Sequence, residues 1–409
     1  MGSLTIDKQE INKYINYLII AYAFSFPVSK AAVSLLEFVI FILWVYKGEW
    51  NYRYQLIKYN PLILSLSALV LLSLLSVFWG SSVGYALEYI SKNYHFLMIV
   101  ILYTSLEKKY VINILTAFLM SMLLSELLSY GIYFEFFEFK NATVELPTPF
   151  MHHVTYSVVL VFTSMILLSN IFYKEELQSK ILSILFFITI VINLFINGGR
   201  TGQIVFIVLI VTFFLMLLKN KLKAIVIAST IIVSTFFIAY NFSSNFHNRV
   251  HQLEVGLTKA LYEKDYTDQG GMRISMILIG TETFFDNFLL GTGIGNVMKD
   301  ANYYSTINNY KTRDMSIFTD FHNVFINISA QLGILGLLVV LLIFYSVFTI
   351  KIKERKYFIL NRMFLISFIL YSCTHNSIHV MNGMVFFALF AGLFNAIAKL
   401  EKEEVSVLS

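Results

Sequence analysis

The chain has 409 residues, of which 57% are hydrophobic and only 13% charged, with a formal net charge of +5. A soluble domain carries about 25% charged residues, so this composition excludes a set of water-exposed globules. A bilayer-spanning helix consumes roughly 20 consecutive apolar residues whereas the strands of a membrane barrel would alternate, so the chain reads as an all-α polytopic membrane protein.

In chain order, apolar runs fall near 14–28, 31–47, 61–79, 86–106, 110–134, 154–173, 180–197, 202–218, 223–241, 323–349, 358–373 and 379–397, which gives twelve candidate spans. The first two are interrupted around Pro27 and Lys30, and 110–134 is long enough to tilt or to include a surface turn. Residues 1–15 are polar, and no cleavable leader is expected. With the N-terminus in the cytoplasm, nineteen lysines and arginines fall in the terminal segments and cytoplasmic loops. Only Lys30, Lys92, Lys140 and Arg200 fall in the short outer loops. This bias predicts both termini in the cytoplasm of a bacterial inner-membrane protein, and it accounts for the positive charge without a nucleic-acid partner.

The predicted organisation is nine spans over 1–241, a large outer, periplasmic loop over 242–322, and three spans plus a cytoplasmic tail over 323–409. Two stretches of the loop have helical apolar spacing: Val250, Leu253, Leu257 and Leu261, then Ile274, Ile277, Leu278, Thr281, Phe284, Phe285 and Phe288. Such helices cap a membrane domain or lie in its interface, and a loop of this length is usually functional. No internal repeat of the kind found in many transporters is present.

A few polar residues at the outer ends of the spans exceed what an anchor needs. Arg200, in Asn197-Gly198-Gly199-Arg200-Thr201-Gly202, opens the eighth span, where helix N–H groups beside a guanidinium suit a phosphate or pyrophosphate. The plainer reading is an interfacial anchor. Arg273 begins the second loop helix, a position that opposes the helix dipole and calls for an anionic partner. His322, in Thr319-Asp320-Phe321-His322-Asn323, precedes the tenth span; the helix end favours its neutral form and Asp320 opposes it. The plainer reading makes Thr319 or Asp320 the helix cap and His322 merely exposed. Gly291-Thr292-Gly293-Ile294-Gly295 reads as a turn, because it follows a helix and not a strand. His152, His153, His375 and His379 lie on the outer side in no common metal-ligand spacing, and the lone Cys373 excludes an internal disulfide. No metal site and no cofactor are expected, and the lack of Asp-x-Asp and phosphate-loop motifs argues against a cytoplasmic nucleotide donor.

The order of these elements resembles the O-antigen ligase and polymerase superfamily of bacterial envelope glycosyltransferases. The resemblance rests on Arg200 at a span start, the large loop with Arg273, and His322-Asn323 before a span that continues through Gln331-Leu332-Gly333-Ile334-Leu335-Gly336. It is strongest over about 195–340, and Gly198-Gly199 departs from the Ser or Thr found in many relatives. It implies a GT-C type enzyme that takes a glycan from undecaprenyl diphosphate, without a metal, and passes it with inversion to a periplasmic hydroxyl. On this resemblance Arg200 and Arg273 bind the pyrophosphate, His322 takes the acceptor proton, and Asn323 also contacts substrate. One dominant outer loop in about 400 residues favours a ligase, with lipid A–core as acceptor and membrane lipids as surroundings. A polymerase of lipid-linked repeat units comes next, then transfer to protein hydroxyls. A lipid-linked oligosaccharide transporter is the reading from another class, and it would distribute its arginines over both faces.

Overall fold

The computed structural model describes residues 7–80, 82–295, 297–298 and 301–408. Among the described residues the chain is helical, with two isolated β-bridges, Thr143–Leu146 and Asp265–Lys311. Helix starts follow local chemistry. Asn60, followed by Pro61, caps α4 (Pro61–Leu75) by accepting from the amides of Leu62 and Ile63. Ser29 caps α2 (Lys30–Lys47) and Asn220 caps α11 (Lys221–Phe242) in the same manner.

Among the described residues eight helices are long and apolar enough to cross a membrane, nine if α2 and α3 (Trp50–Ile57), bent by 113°, form one span. The expected twelve are not reached, and each shortfall has a local cause. The run 14–28 lies in α1 (Lys8–Ser25), which begins with the charges Lys8, Glu10 and Lys13. Run 31–47 is α2, ended by Gly48 in a left-handed conformation. Run 86–106 is divided into α5 (Val83–Ser91) and α6 (Leu97–Ser105) by a 3₁₀ turn over Lys92–Phe96. Run 358–373 belongs to α16 (Arg355–Ser372), which carries Arg355, Lys356 and Arg362.

The eight include α7 (Val111–Tyr133), α8 (His153–Tyr173), α9 (Leu177–Ile196), α10 (Arg200–Leu217), α15 (Val324–Phe348) and α17 (Met381–Leu408). Helix α8 is buried along nearly its whole length, enclosed by α9, α10 and α16, and α17 is buried against α6 and α16. Helices α9 and α11 turn Ile181, Leu185, Val233 and Phe237 outward, the surface a lipid-facing helix needs.

Hydrogen bonds sort the helix ends onto two faces. On one face Asn12 bonds Glu107 and Lys47, Lys108 pairs with Glu404, Glu401 accepts from the amides of Lys353 and Glu354, and Arg355 donates to Met216 O. On the other, Asn245 donates to Val144 O and Ile196 O, Thr201 to Thr374, and Asn323 to Cys373 O. The basic segments of the sequence analysis gather on the first face.

Residues 244–322 cover the second face with α12 (Ser244–Tyr262), α13 (Gln269–Asp286) and α14 (Ala301–Ile307). In α12 the side chains of Val250, Leu253 and Leu257 lie outside those described, and Leu261 is exposed. For α13 the buried stripe is Met272, Met276, Ile279 and Thr283, which packs with Phe321 and Ala330 against α15. The predicted face is the other one: Ile277, Phe285 and Phe288 are exposed.

Helix α15 is broken inside its span. Gly333 has φ 62° and ψ −159°, so the Ile334 amide leaves the helical ladder and donates to Phe288 O. The freed carbonyls of Ala330 and Gln331 accept from Thr292 and Gly293. The Gly291–Gly295 segment is therefore a turn, as expected, and it is docked into the helix break.

Candidate functional site

Four helix ends define the site. Helix α10 starts at Arg200, where Asn197 Oδ1 accepts from the Gly199 amide at 3.0 Å. Gly199 lies so close to α8 that a Cβ would approach Ser157 Oγ to 2.4 Å, and Ser157 Oγ accepts from the Gly202 amide at 3.2 Å. A larger residue at 199 would push the Arg200 helix end away from the His152–His153 end of α8. The neighbouring Thr201 donates to Thr374, next to His375 in the α16–α17 connection, at 3.0 Å. Arg200 itself is half-buried.

Helix α15 starts at Val324, and its cap is Asn323, not Thr319 or Asp320. Asn323 Oδ1 accepts from the amides of Phe325 and Ile326, while Nδ2 donates to Cys373 O at 2.9 Å. The residue expected to contact substrate thus caps α15 and ties it to the α16–α17 connection.

The preceding residues form a dyad. Asp320 is buried, and its Oδ1 accepts from the His322 backbone amide at 2.7 Å and meets His322 Nδ1 at 2.9 Å. His322 has φ +50°, a left-handed conformation uncommon for a side-chain-bearing residue and held here by that double contact. Burial raises the Asp320 pKa, but the hydrogen bonds and charge of His322 outweigh it and bring it down to about 2. The carboxylate is therefore ionised and engages Nδ1, which leaves Nε2 outside that contact.

Around the dyad stands a row of imidazoles. The His322 and His375 ring centroids are 5.8 Å apart, His375 and His152 5.6 Å, and His152 and His153 4.1 Å. Arg273, on α13, acts electrostatically on both His152 and His375. Its side chain is exposed, and desolvation by the surrounding protein lowers its pKa. Burial likewise lowers His375 to about 4, against the pull of Asp320, and His152 is lowered by burial and by His322, Arg273 and Lys30.

Of the sequence-derived residues, the structure brings His322 and Arg273 to one imidazole cluster and ties the Arg200 helix end to the segment holding His375. His379 is separate, stacked on Tyr89 with ring centroids 3.4 Å apart. The sequence marks Asp320 as a cap or a charge near His322, and Lys30 as a topology marker. Neither had a sequence signal for its place beside the imidazoles. Among the described residues no group of three or more His, Cys, Asp or Glu is arranged to hold a metal ion.

Residues 184–341 match the family model of the O-antigen ligase. This segment is an O-antigen ligase family domain, and the match does not separate ligase from polymerase. It runs from within α9 to within α15, so it contains Arg200, Arg273, Asp320, His322 and Asn323, while His152 and His375 are supplied from outside it. Membership of that family suggests transfer of a lipid-linked glycan, of the ligase or the polymerase type. No curated protein matches the chain.

Proposed function

We propose that the protein transfers a glycan from a polyprenyl diphosphate, such as undecaprenyl diphosphate, to a hydroxyl acceptor at the periplasmic face of the inner membrane. The observation that carries this reading is the pairing of buried Asp320 with half-buried His322, whose Nε2 lies outside that contact, near Arg273 inside an O-antigen ligase family domain.

The donor already bears a good leaving group, so catalysis consists of alignment and of charge stabilisation on the departing diphosphate. Arg273 and Arg200 hold that diphosphate, Arg200 with the help of the α10 N-terminus. His322 takes the proton as the acceptor oxygen bonds to the anomeric carbon, and the carbon–oxygen bond to phosphate breaks. Asp320 fixes the ring and stabilises the resulting imidazolium. A single displacement inverts the anomeric centre, and product analysis giving retention would rule it out. Asn323 acts by holding the α15 start that presents His322, since its carbonyl oxygen and one amide hydrogen are already engaged.

As acceptor we favour lipid A–core, because a single large loop dominates the chain. Complementation decides: restored O-antigen attachment in a ligase-null strain supports this acceptor, and restored chain laddering only in a polymerase-null strain replaces it with a lipid-linked repeat unit. Restoration in neither, with protein inserted in the membrane, counts against the transfer reading as a whole.

A further inference from the structure

We propose that His152 and His375, together with Arg273, bind the diphosphate of the lipid-linked donor and take up a proton when it arrives. This rests on the transfer reading above and extends it to two residues outside the O-antigen ligase domain. His375 stands between His322 and His152, and both His375 and His152 lie within electrostatic reach of Arg273. His152 sits at the N-terminal end of the 21-residue α8, and its side chain does not cap that helix. Its edge reaches solvent.

The charged groups facing the pair are few and mostly positive. His375 faces Asp320, His322, His152 and Arg273, with the Tyr371 ring 5.6 Å from its own; His152 faces His322, Arg273 and Lys30, with His153 against it. Asp320 is already committed to His322. Burial of His375, and the surrounding cations for both rings, hold the imidazole pKa values down when no anion is present. A diphosphate placed among Arg273, Lys30 and these rings reverses the local potential and favours the imidazolium form. Each ring then donates a charge-assisted hydrogen bond to a phosphate oxygen, the proton coming from solvent. The leaving group is met by charge that the empty site does not have to hold.

Linkage gives the sign. A group whose pKa rises on binding strengthens binding as pH falls, by up to about tenfold per pH unit for each proton taken up. The test is binding of inorganic pyrophosphate to the purified full-length protein in nanodiscs of neutral lipid, by calorimetry at pH 7.5 and 5.5, for the native protein, His375→Gln, His152→Gln and Arg273→Ala. The titration of pyrophosphate itself is common to all four and cancels in the comparison. The native affinity should rise at least about fivefold more on acidification than that of either histidine variant, while Arg273→Ala weakens binding at both pH values. An equal pH dependence in the native protein and in both histidine variants overturns the proposal and leaves the transfer reading standing. Pyrophosphate binding that Arg273→Ala does not weaken at either pH counts against the transfer reading as well. Competition by phosphatidylglycerol in the nanodisc as strong as that by pyrophosphate would reassign the cluster to a phospholipid headgroup and also overturn the proposal. His152→Gln lies at the solvent edge, so it stays informative if His375→Gln fails to fold.

Discussion

The two faces of the helix bundle hold charge in opposite ways. On the face of Asn12, Lys108 and Arg355, cations and carboxylates meet each other or helix-end carbonyls, mostly in the open: Lys108 with Glu404, Lys109 with Glu107, Lys47 with Glu49. Exposed pairs of this kind are screened by water and fix little beyond topology. On the loop-bearing face a buried carboxylate is held by one histidine, and the neighbouring cations face neutral imidazoles. The same residue types therefore do different work. Where both signs are solvated they satisfy each other, and where one sign is in excess beside rings kept neutral they wait for an anion.

The largest effect that would sharpen this contrast is at Arg273. Arg273→Ala should lower glycan transfer roughly 10²–10³-fold, the cost of removing one preorganised donor to developing charge. Lys108→Ala, on the other face, should leave both transfer and thermal stability unchanged. Equal losses in the two variants, measured with lipid-linked donor in membranes, would erase the distinction between the faces. Next comes the dyad. Asp320→Asn and His322→Gln should each reduce transfer about 10²-fold or more, and the double variant should lose little beyond the worse single one, because the pair acts as a unit. Additive losses in the double variant would mean that the two residues work separately.

Much of the bundle was legible because hydropathy needs no partners to be read. Among the described residues eight of the apolar runs correspond to spanning helices, one of them kinked at Gly333, and the basic segments share a face. One surplus span came from 86–106, whose first half carries Glu88, Lys92, Asn93 and His95; the break falls at Lys92–Phe96 and packs against α17. At the site, Arg273 and His322 were visible as charges in unfavourable places. Asp320 was not, because an Asp before a helix is a common cap and only the structure gives that role to Asn323. His152 and His375 were visible yet unreadable, since residues 223 apart become neighbours only through the packing of α8 against α16.

A smaller effect tests what holds the loop-bearing face in place. Gly333 combines a positive φ with a backbone approach at which a Cβ would stand 2.3 Å from Leu289 O. Gly333→Ala should destabilise the protein by about 1–3 kcal/mol through strain at this position and loosen the Gly291–Gly295 turn from α15. A lower thermal midpoint together with faster proteolysis within 287–298 is the expected outcome. Unchanged proteolysis would mean that the turn is held by its other contact, Ile294 with Ser76.

The smallest effect is the pH dependence of stability, which separates the imidazoles from the carboxylate. Burial lowers His375 from its ordinary 6.5 to about 4 and His379 to about 3. In the unfolded chain these rings gain protons below about pH 6.5, while in the folded protein they resist until much lower. The unfolded state then binds more protons, so stability falls as pH drops from about 6.5 towards 4. Asp320 has the same sign in a lower window, since its folded pKa of about 2 lies below the ordinary 3.8. Its contribution is complete above that ordinary value and disappears as pH falls through about 2. His375→Gln should therefore flatten the thermal midpoint between about pH 6.5 and 4, by an amount on the order of 1–3 kcal/mol at the acid end, leaving the part due to His379. Asp320→Asn should keep that acid slope, since loss of its pull only lowers His375 further, and should remove the dependence in the range beneath it. An acid slope that survives in His375→Gln and disappears in Asp320→Asn would place the charge-sensitive group of this face at the carboxylate and not in the imidazole row.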